Sequence, residues 1–203
     1  RLVSRGLGDV YKRQSITERC ELMHNLIDVI MENQDYIMQV VMDETGKPIQ
    51  EAMSMEIYSA IDSLAFYAKR APKWLKDESR SMHGPMQFLK KTKVAFKPRG
   101  VIGVITPWNG PFILSINPAI QAVLAGNSVI IKPSEVTPKS GMLVEEMFKK
   151  ADAPDNLVQV LIGDGQVGAD LINLKPDKVS FTGSIKTGKL IARQCGESLI
   201  PFS

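Results

Sequence analysis

Between residues 101 and 195, short β-branched and apolar runs alternate with helical stretches, and this alternation leaves few folds open to the chain. The apolar runs fall at 101–106, 128–132, 157–162 and 178–181. The intervening stretches at 113–124, 138–150, 166–174 and 184–195 carry apolar residues at helical spacing. Strands separated by helices are joined in parallel, and a parallel sheet must be covered on both faces. The expected class is therefore α/β, with four parallel strands between helices. In such sheets ligands bind at the carboxyl ends of the strands. The residues after Ile105, Ile131, Ile162 and Phe181 are the places to look for chemistry.

Ahead of this region the texture is helical. Ser15 and Glu18 have the spacing of a capping box, and Leu22, Leu26, Ile27, Ile30 and Met31 follow on one face. A second helix is expected over 34–44, stopped by Thr45-Gly46-Lys47-Pro48, and a third over 50–74. Residues 75–92 are polar, contain Gly84-Pro85 and read as a loop. Residues 1–14 have neither a helical stripe nor strand alternation and read as a leader outside the fold. Arg1, Arg5, Lys12 and Arg13 against Asp9 account for the whole formal net charge of +3, so residues 15–203 are formally neutral. No basic face for nucleic acid is implied. No apolar run approaches the ~18 residues of a membrane span, and no secretory signal is visible, so the cytoplasm is the expected compartment. Two cysteines, Cys20 and Cys195, and two histidines, His24 and His83, fit neither a disulfide framework nor a zinc site. Both cysteines read as packing residues.

Each strand end carries an unusual segment. The first is Thr106-Pro107-Trp108-Asn109-Gly110-Pro111, where Asn109 offers an amide donor suited to an oxyanion; alone, it also reads as a turn residue. The second is Lys132-Pro133-Ser134-Glu135, which reads either as a solvated charge pair or as a ribose-binding pair that repels a 2′-phosphate. The third, Gly163-Asp164-Gly165-Gln166-Val167-Gly168, matches G-x-G-x-x-G but lacks the acidic residue expected about 20 positions on. The fourth runs from Phe181 through Thr182-Gly183-Ser184 to Lys189. It fits G-x-x-x-x-G-K, but Leu190 stands where a magnesium-holding Ser or Thr should be. Gly183 and Ser184 at a helix N-terminus still suit a diphosphate.

TPWN, IKPSE, GDGQVG and FTGS, in this order after four successive strands, closely resemble the coenzyme-binding region of the aldehyde dehydrogenase superfamily. The upstream ETGKP is similar too. The resemblance covers residues 15–203 and implies a Rossmann-like parallel sheet, incomplete at both ends and preceded by a helical segment at 15–74. It makes 75–98 a loop and part of an oligomerisation arm, and 99–203 the βα units, with the catalytic domain absent. It implies oxidation of a small-molecule aldehyde to a carboxylic acid with a nicotinamide coenzyme, in a parent that is a homo-oligomer. Asn109 would stabilise the oxyanion, and Thr106, Pro107 and Trp108 would line the coenzyme passage. Lys132, Ser134 and Glu135 would hold the adenosine ribose, favouring NAD over NADP. Gly183 and Ser184, beside Phe181, would bind the diphosphate, and Gly165 and Gly168 would pack near the adenine. The family's nucleophilic cysteine and general-base glutamate lie beyond Ser203, which leaves the fragment inactive, and Cys195 is not that nucleophile. Gly110, in place of a bulkier residue, would widen the substrate tunnel. The rival readings are a P-loop-like nucleotide-binding protein and an inactive binding protein on the same fold. The last strand is expected to expose an edge where a further strand should pair.

Overall fold

The computed structural model of the protein describes residues 14–203. The expected leader, apart from Gln14, lies outside the described residues. Helix α1 (Ile16–Glu32) begins at the expected capping box: Glu18 N donates to Ser15 Oγ at 3.2 Å, and Ser15 N donates to Glu18 Oε2 at 2.6 Å. Helix α2 (Gln34–Thr45) stops at Gly46, whose φ of 71° is the left-handed conformation that glycine adopts without penalty. The third helical stretch is not uniform. A single turn α3 (Ile49–Glu51) leads into a π-helical segment at Ala52–Tyr58 and then into α4 (Ser59–Trp74). Such wide turns accommodate an extra residue and are frequent at functional places.

The expected loop at 75–92 is corrected by the structure. Strands β1 (Glu78–Arg80) and β2 (Thr92–Val94) pair antiparallel, Glu78 opposite Val94, around a 3₁₀ turn at Pro85–Phe88. Both strands are exposed on both faces, so they carry no alternation for a sequence reading to detect.

The main sheet has strands β3 (Val101–Ile105), β4 (Ser128–Lys132), β5 (Val158–Val160) and β6 (Lys178–Phe181), all parallel, in the order β5-β4-β3-β6. Strand β5 is shorter than expected, although Leu161 N still donates to Ile131 O at 2.8 Å. Helices α5 (Ile113–Leu124), α6 (Pro138–Lys150), α7 (Gly165–Asn173) and α8 (Ile185–Glu197) follow the four strands in turn. Side-chain alternation divides the core between the two faces. Ile102, Val104, Val129 and Ile131 pack with α5, α6 and the helices α1, α2 and α4 behind them. Val101, Ile105 and Ile130 pack with Leu171, Ile172, Ile191 and Cys195 of α7 and α8.

The edge of β6 differs from expectation. Residues 201–203 pair alongside it in parallel: Val179 N donates to Pro201 O at 2.9 Å and Phe181 N to Ser203 O at 2.9 Å. Among the described residues, no helix is long and apolar enough to cross a membrane.

Candidate coenzyme and oxyanion site

The chain runs outward from β3 through β4 to β5, then returns to place β6 on the other side of β3. The connections thus diverge at the carboxyl ends of β3 and β6, where a crevice opens in such sheets. A cavity of about 570 Å³ lies there, within the size range of small-molecule sites. Thr106, Pro107, Trp108, Lys132, Ser134, Glu135, Gly165, Gly168, Phe181, Gly183 and Ser184 all line it. The structure therefore gathers segments from four strand ends into one site. It adds a wall that the sequence reading missed: Ala169 and Ile172 of α7, and Thr187, Leu190 and Gln194 of α8. The spacing 187, 190, 194 is a helical face. It was legible as a stripe, but not as a stripe turned toward the cleft.

Lys132 is buried, with 5% of its side chain exposed, and its Nζ donates to Glu135 Oε2 at 3.0 Å. This is not a solvated surface pair. Glu135 remains open, at 56%. Its own backbone N–H and then the Lys132 ammonium hold its carboxyl below the usual glutamate range. It is an anion at neutral pH, with room to accept from hydroxyl groups. A Cβ at Gly168 would lie in ordinary contact, 3.9 Å from both Ile105 Cδ1 and Lys132 Cδ.

Four helices begin at this edge, and their N–H groups are disposed of differently. Glu56 Oε2 accepts from Phe112 N and Ile113 N at the start of α5. The Glu44 carboxylate accepts from Lys139 N and Ser140 N at the start of α6, at 2.9 and 2.7 Å. Asp164 Oδ1 accepts from Gln166 N in α7 at 2.9 Å. Helix α8 alone among these four is capped by a neutral group: Thr187 N donates to Ser184 Oγ at 3.2 Å. The first-turn N–H groups of Ile185 and Lys186 have no acceptor within the helix. Three N-termini are thus neutralised by the chain's own carboxylates, and the fourth offers partial positive charge to an anion. The phosphate-wrapping loop of the rival reading does not form, because α8 starts at Ile185 and Gly188 and Lys189 already lie within its first turns.

Asn109 stands just outside the cleft lining, in the bend between β3 and α5. It is exposed, and its side-chain amide has no hydrogen-bond partner among the described residues. The bend is fixed at its start by Thr106, whose N donates to Lys132 O at 3.2 Å and whose Oγ1 is 2.9 Å from Ser115 Oγ. Cys195 is buried, and burial pushes its thiol above the ordinary range. Cys20 is buried in the other cluster and donates from Sγ to Ala68 O at 3.3 Å, with its thiol raised by the same cause. Neither environment favours a thiolate.

A crevice of this kind, with one free helix N-terminus, a buried lysine and an open carboxylate, defines the class as an α/β protein with a ligand cleft at the carboxyl ends of its strands. The sequence profile of the aldehyde dehydrogenase family matches residues 7–203, and the chain belongs to that family. It is 41% identical, over 98% of its length, to a 4,4'-diapolycopene aldehyde oxidase of a Methylomonas species. It is 37% identical, over 95% of its length, to a putative NADP(+) succinate-semialdehyde dehydrogenase of Mycolicibacterium smegmatis. The chain spans 37% of the length of each of these relatives. Among solved structures, the NAD+ complex of the Bacillus cereus aldehyde dehydrogenase matches with a TM-score of 0.87 at 30% identity, covering 95% of this chain and 38% of that one. The Brucella melitensis biovar abortus aldehyde dehydrogenase matches with a TM-score of 0.92 at 28% identity, covering 98% of this chain and 41% of that one.

Proposed function

We propose that this chain is the coenzyme-binding part of an enzyme that oxidises an aldehyde to a carboxylic acid, with NAD as the hydride acceptor. The observation that carries the reading is the convergence of eleven coenzyme-site candidates on one cleft beside Asn109. The residues fit the group. The free N-terminus of α8, with Gly183 and Ser184, suits the diphosphate, and Glu135 and Lys132 suit the ribose hydroxyls. Thr106, Pro107 and Trp108 line the cleft beside Asn109 and suit a nicotinamide. The amide of Asn109 donates to the oxygen on which negative charge develops when a nucleophile adds to the aldehyde carbon. NAD, when bound, supplies the acceptor for the hydride that leaves that carbon.

The ionised Glu135 supports NAD over NADP, because a 2′-phosphate beside it would face a like charge. Two like charges ~4 Å apart repel by about 1–4 kcal/mol between water and a protein-surface dielectric. Glu135→Gln is therefore expected to improve NADPH binding relative to NADH by roughly tenfold, about 1.4 kcal/mol. The carboxyl is held below its ordinary range, so its charge is present above that range and is lost only as the pH falls through the depressed value. Glu135 is accordingly expected to stay charged from neutrality down to pH ~4.5, so a weakening of the discrimination near pH ~6 is expected from protonation of the 2′-phosphate and not of Glu135.

The test is titration with NADH of the 203-residue chain carrying Trp74→Phe, read as energy transfer from Trp108, the tryptophan that remains. Saturable binding is expected. Ser184→Asp keeps a good N-cap but places a carboxylate at the anion site. It is expected to weaken NADH at least tenfold, by roughly the same like-charge repulsion. Binding that ignores this substitution removes the diphosphate assignment. A bulky aldehyde is supported by the relative named for a diapolycopene aldehyde and not by Gly110, which is buried against Leu114 and Ile113. The exposed Phe88 and Leu89, between β1 and β2, suit that arm to a contact between copies of the chain.

A further inference from the structure

The bend that carries Asn109 runs directly into α5, and the sequence there cannot cap its own helix. Phe112 stands at the N-cap position, and no side chain of the segment accepts from the first turn. Phe112 is fully buried, so its N–H cannot turn to water. The acceptor comes from far upstream. Glu56, on the π-helical segment, places Oε2 at 3.2 Å from Phe112 N and 2.9 Å from Ile113 N. Its other oxygen, Oε1, is paired with the Lys47 ammonium. Glu56 is 0% exposed and the Lys47 side chain 10%.

A carboxylate this deep persists only if its charge is met. Here an ammonium, two backbone donors and the positive end of a helix meet it together. The wide π turn brings Glu56 and Ile57, adjacent in sequence, both into the interior. The N-cap Phe112 is in turn three residues from the proposed oxyanion donor. Leu114 N donates to Gly110 O at 2.9 Å, so the residue after Asn109 is already held by the first turn of α5. With Thr106 anchored to the sheet at one end of the bend and Phe112 anchored to Glu56 at the other, the intervening residues have little freedom.

We propose that Glu56, held by Lys47, is a positioning residue for Asn109: it binds the start of α5 from behind and thereby sets where the bend presents the Asn109 amide. This rests on the reading of Asn109 as an oxyanion donor. The proposal concerns geometry that a displacement of ~1 Å would spoil, with losses of the order of 10²-fold in rate.

The test uses the 203-residue chain carrying Trp74→Phe, so that Trp108 is the single tryptophan of the two in the sequence. Glu56→Gln leaves an accepting oxygen but strands Lys47, and Glu56→Met removes the acceptor. The double variant Glu56→Gln with Lys47→Met removes both charges and keeps the acceptor. Amide exchange over 110–116 is expected to rise at least tenfold in Glu56→Met and in Glu56→Gln, and to return toward the parent value in the double variant. Exchange over 128–132 should not move, and the Trp108 emission maximum should shift in step with 110–116. Parent-like exchange at 110–116 in Glu56→Met overturns the proposal. So does a rise spread evenly over the sheet, or loss of the fold in all three variants, since either makes Glu56 merely structural.

A second readout uses a graft in which the chain replaces the matching part of the Methylomonas relative. There Glu56→Gln is expected to lower kcat at least tenfold with the KM for NAD unchanged, and an unchanged kcat overturns the proposal. If the graft turns over aldehyde without dependence on Asn109, the oxyanion reading has failed, and the exchange data alone still decide whether Glu56 fixes the bend.

Discussion

Asn109→Ala, in a graft where this chain replaces the matching 37% of the Methylomonas relative, is expected to cut turnover by roughly 10²–10³-fold while leaving NADH affinity unchanged. The expectation follows from the position of the amide. Asn109 is exposed, unbonded among the described residues and adjacent to the cleft rather than within its lining. Its removal therefore takes nothing from the coenzyme site and leaves no buried partner unsatisfied. A donor that meets charge only as the aldehyde carbon is attacked contributes to the barrier and not to ground-state binding, so the loss falls on kcat. Single-turnover kinetics and an NADH titration on the same preparation separate the two. Turnover within about threefold of the parent would take Asn109 out of the oxyanion role. A matched loss of NADH affinity would make it a coenzyme contact instead.

The second large effect is on stability. Ile131→Ala is expected to cost about 2–5 kcal/mol, and Ile131→Val only about 0.5–1.5 kcal/mol. Ile131 is completely buried in β4, which is paired on one side to β3 and on the other to β5. Its side chain packs into the larger of the two core clusters, where residues from five helices meet the sheet. That packing restricts collapse around the cavity, which is what places a large-to-small substitution at the high end of the range. Urea unfolding of the full chain, followed by circular dichroism, gives the difference. A loss below about 1 kcal/mol would mean that the cluster closes over the gap. The substitution lies one residue before Lys132, so a well-packed sheet is also expected to transmit part of the loss to NADH binding.

What was legible in advance had a local cause. Ser15 and Glu18 carry their own helix start, Gly46 its own stop, and the runs at 101 and 128 are apolar because a central parallel strand is buried on both faces. The coenzyme-site candidates were legible for a related reason. Chemistry in such a sheet collects at the strand ends, and the order of the elements tells where those ends are. Strands β1 and β2 escaped because they bury nothing and so leave no periodic mark. The pairing of residues 201–203 with β6 escaped because three residues are too few to carry a pattern. Glu44 and Glu56 escaped for a different reason: in sequence they are two acidic residues among helical ones, with nothing to separate them from a solvated face.

The sequence by itself determined the class of sheet, the four strand ends and the residue types gathered there, since these follow from burial periodicity and from short-range turn and cap chemistry. Only the tertiary structure decided which of the four helix N-termini stays open to an anion. That choice depends on Glu44 and Glu56 reaching Ser140 and Ile113 across separations of 96 and 57 residues. Long-range pairing of a carboxylate with a helix start is set by how the layers pack, and no local run of residues encodes it.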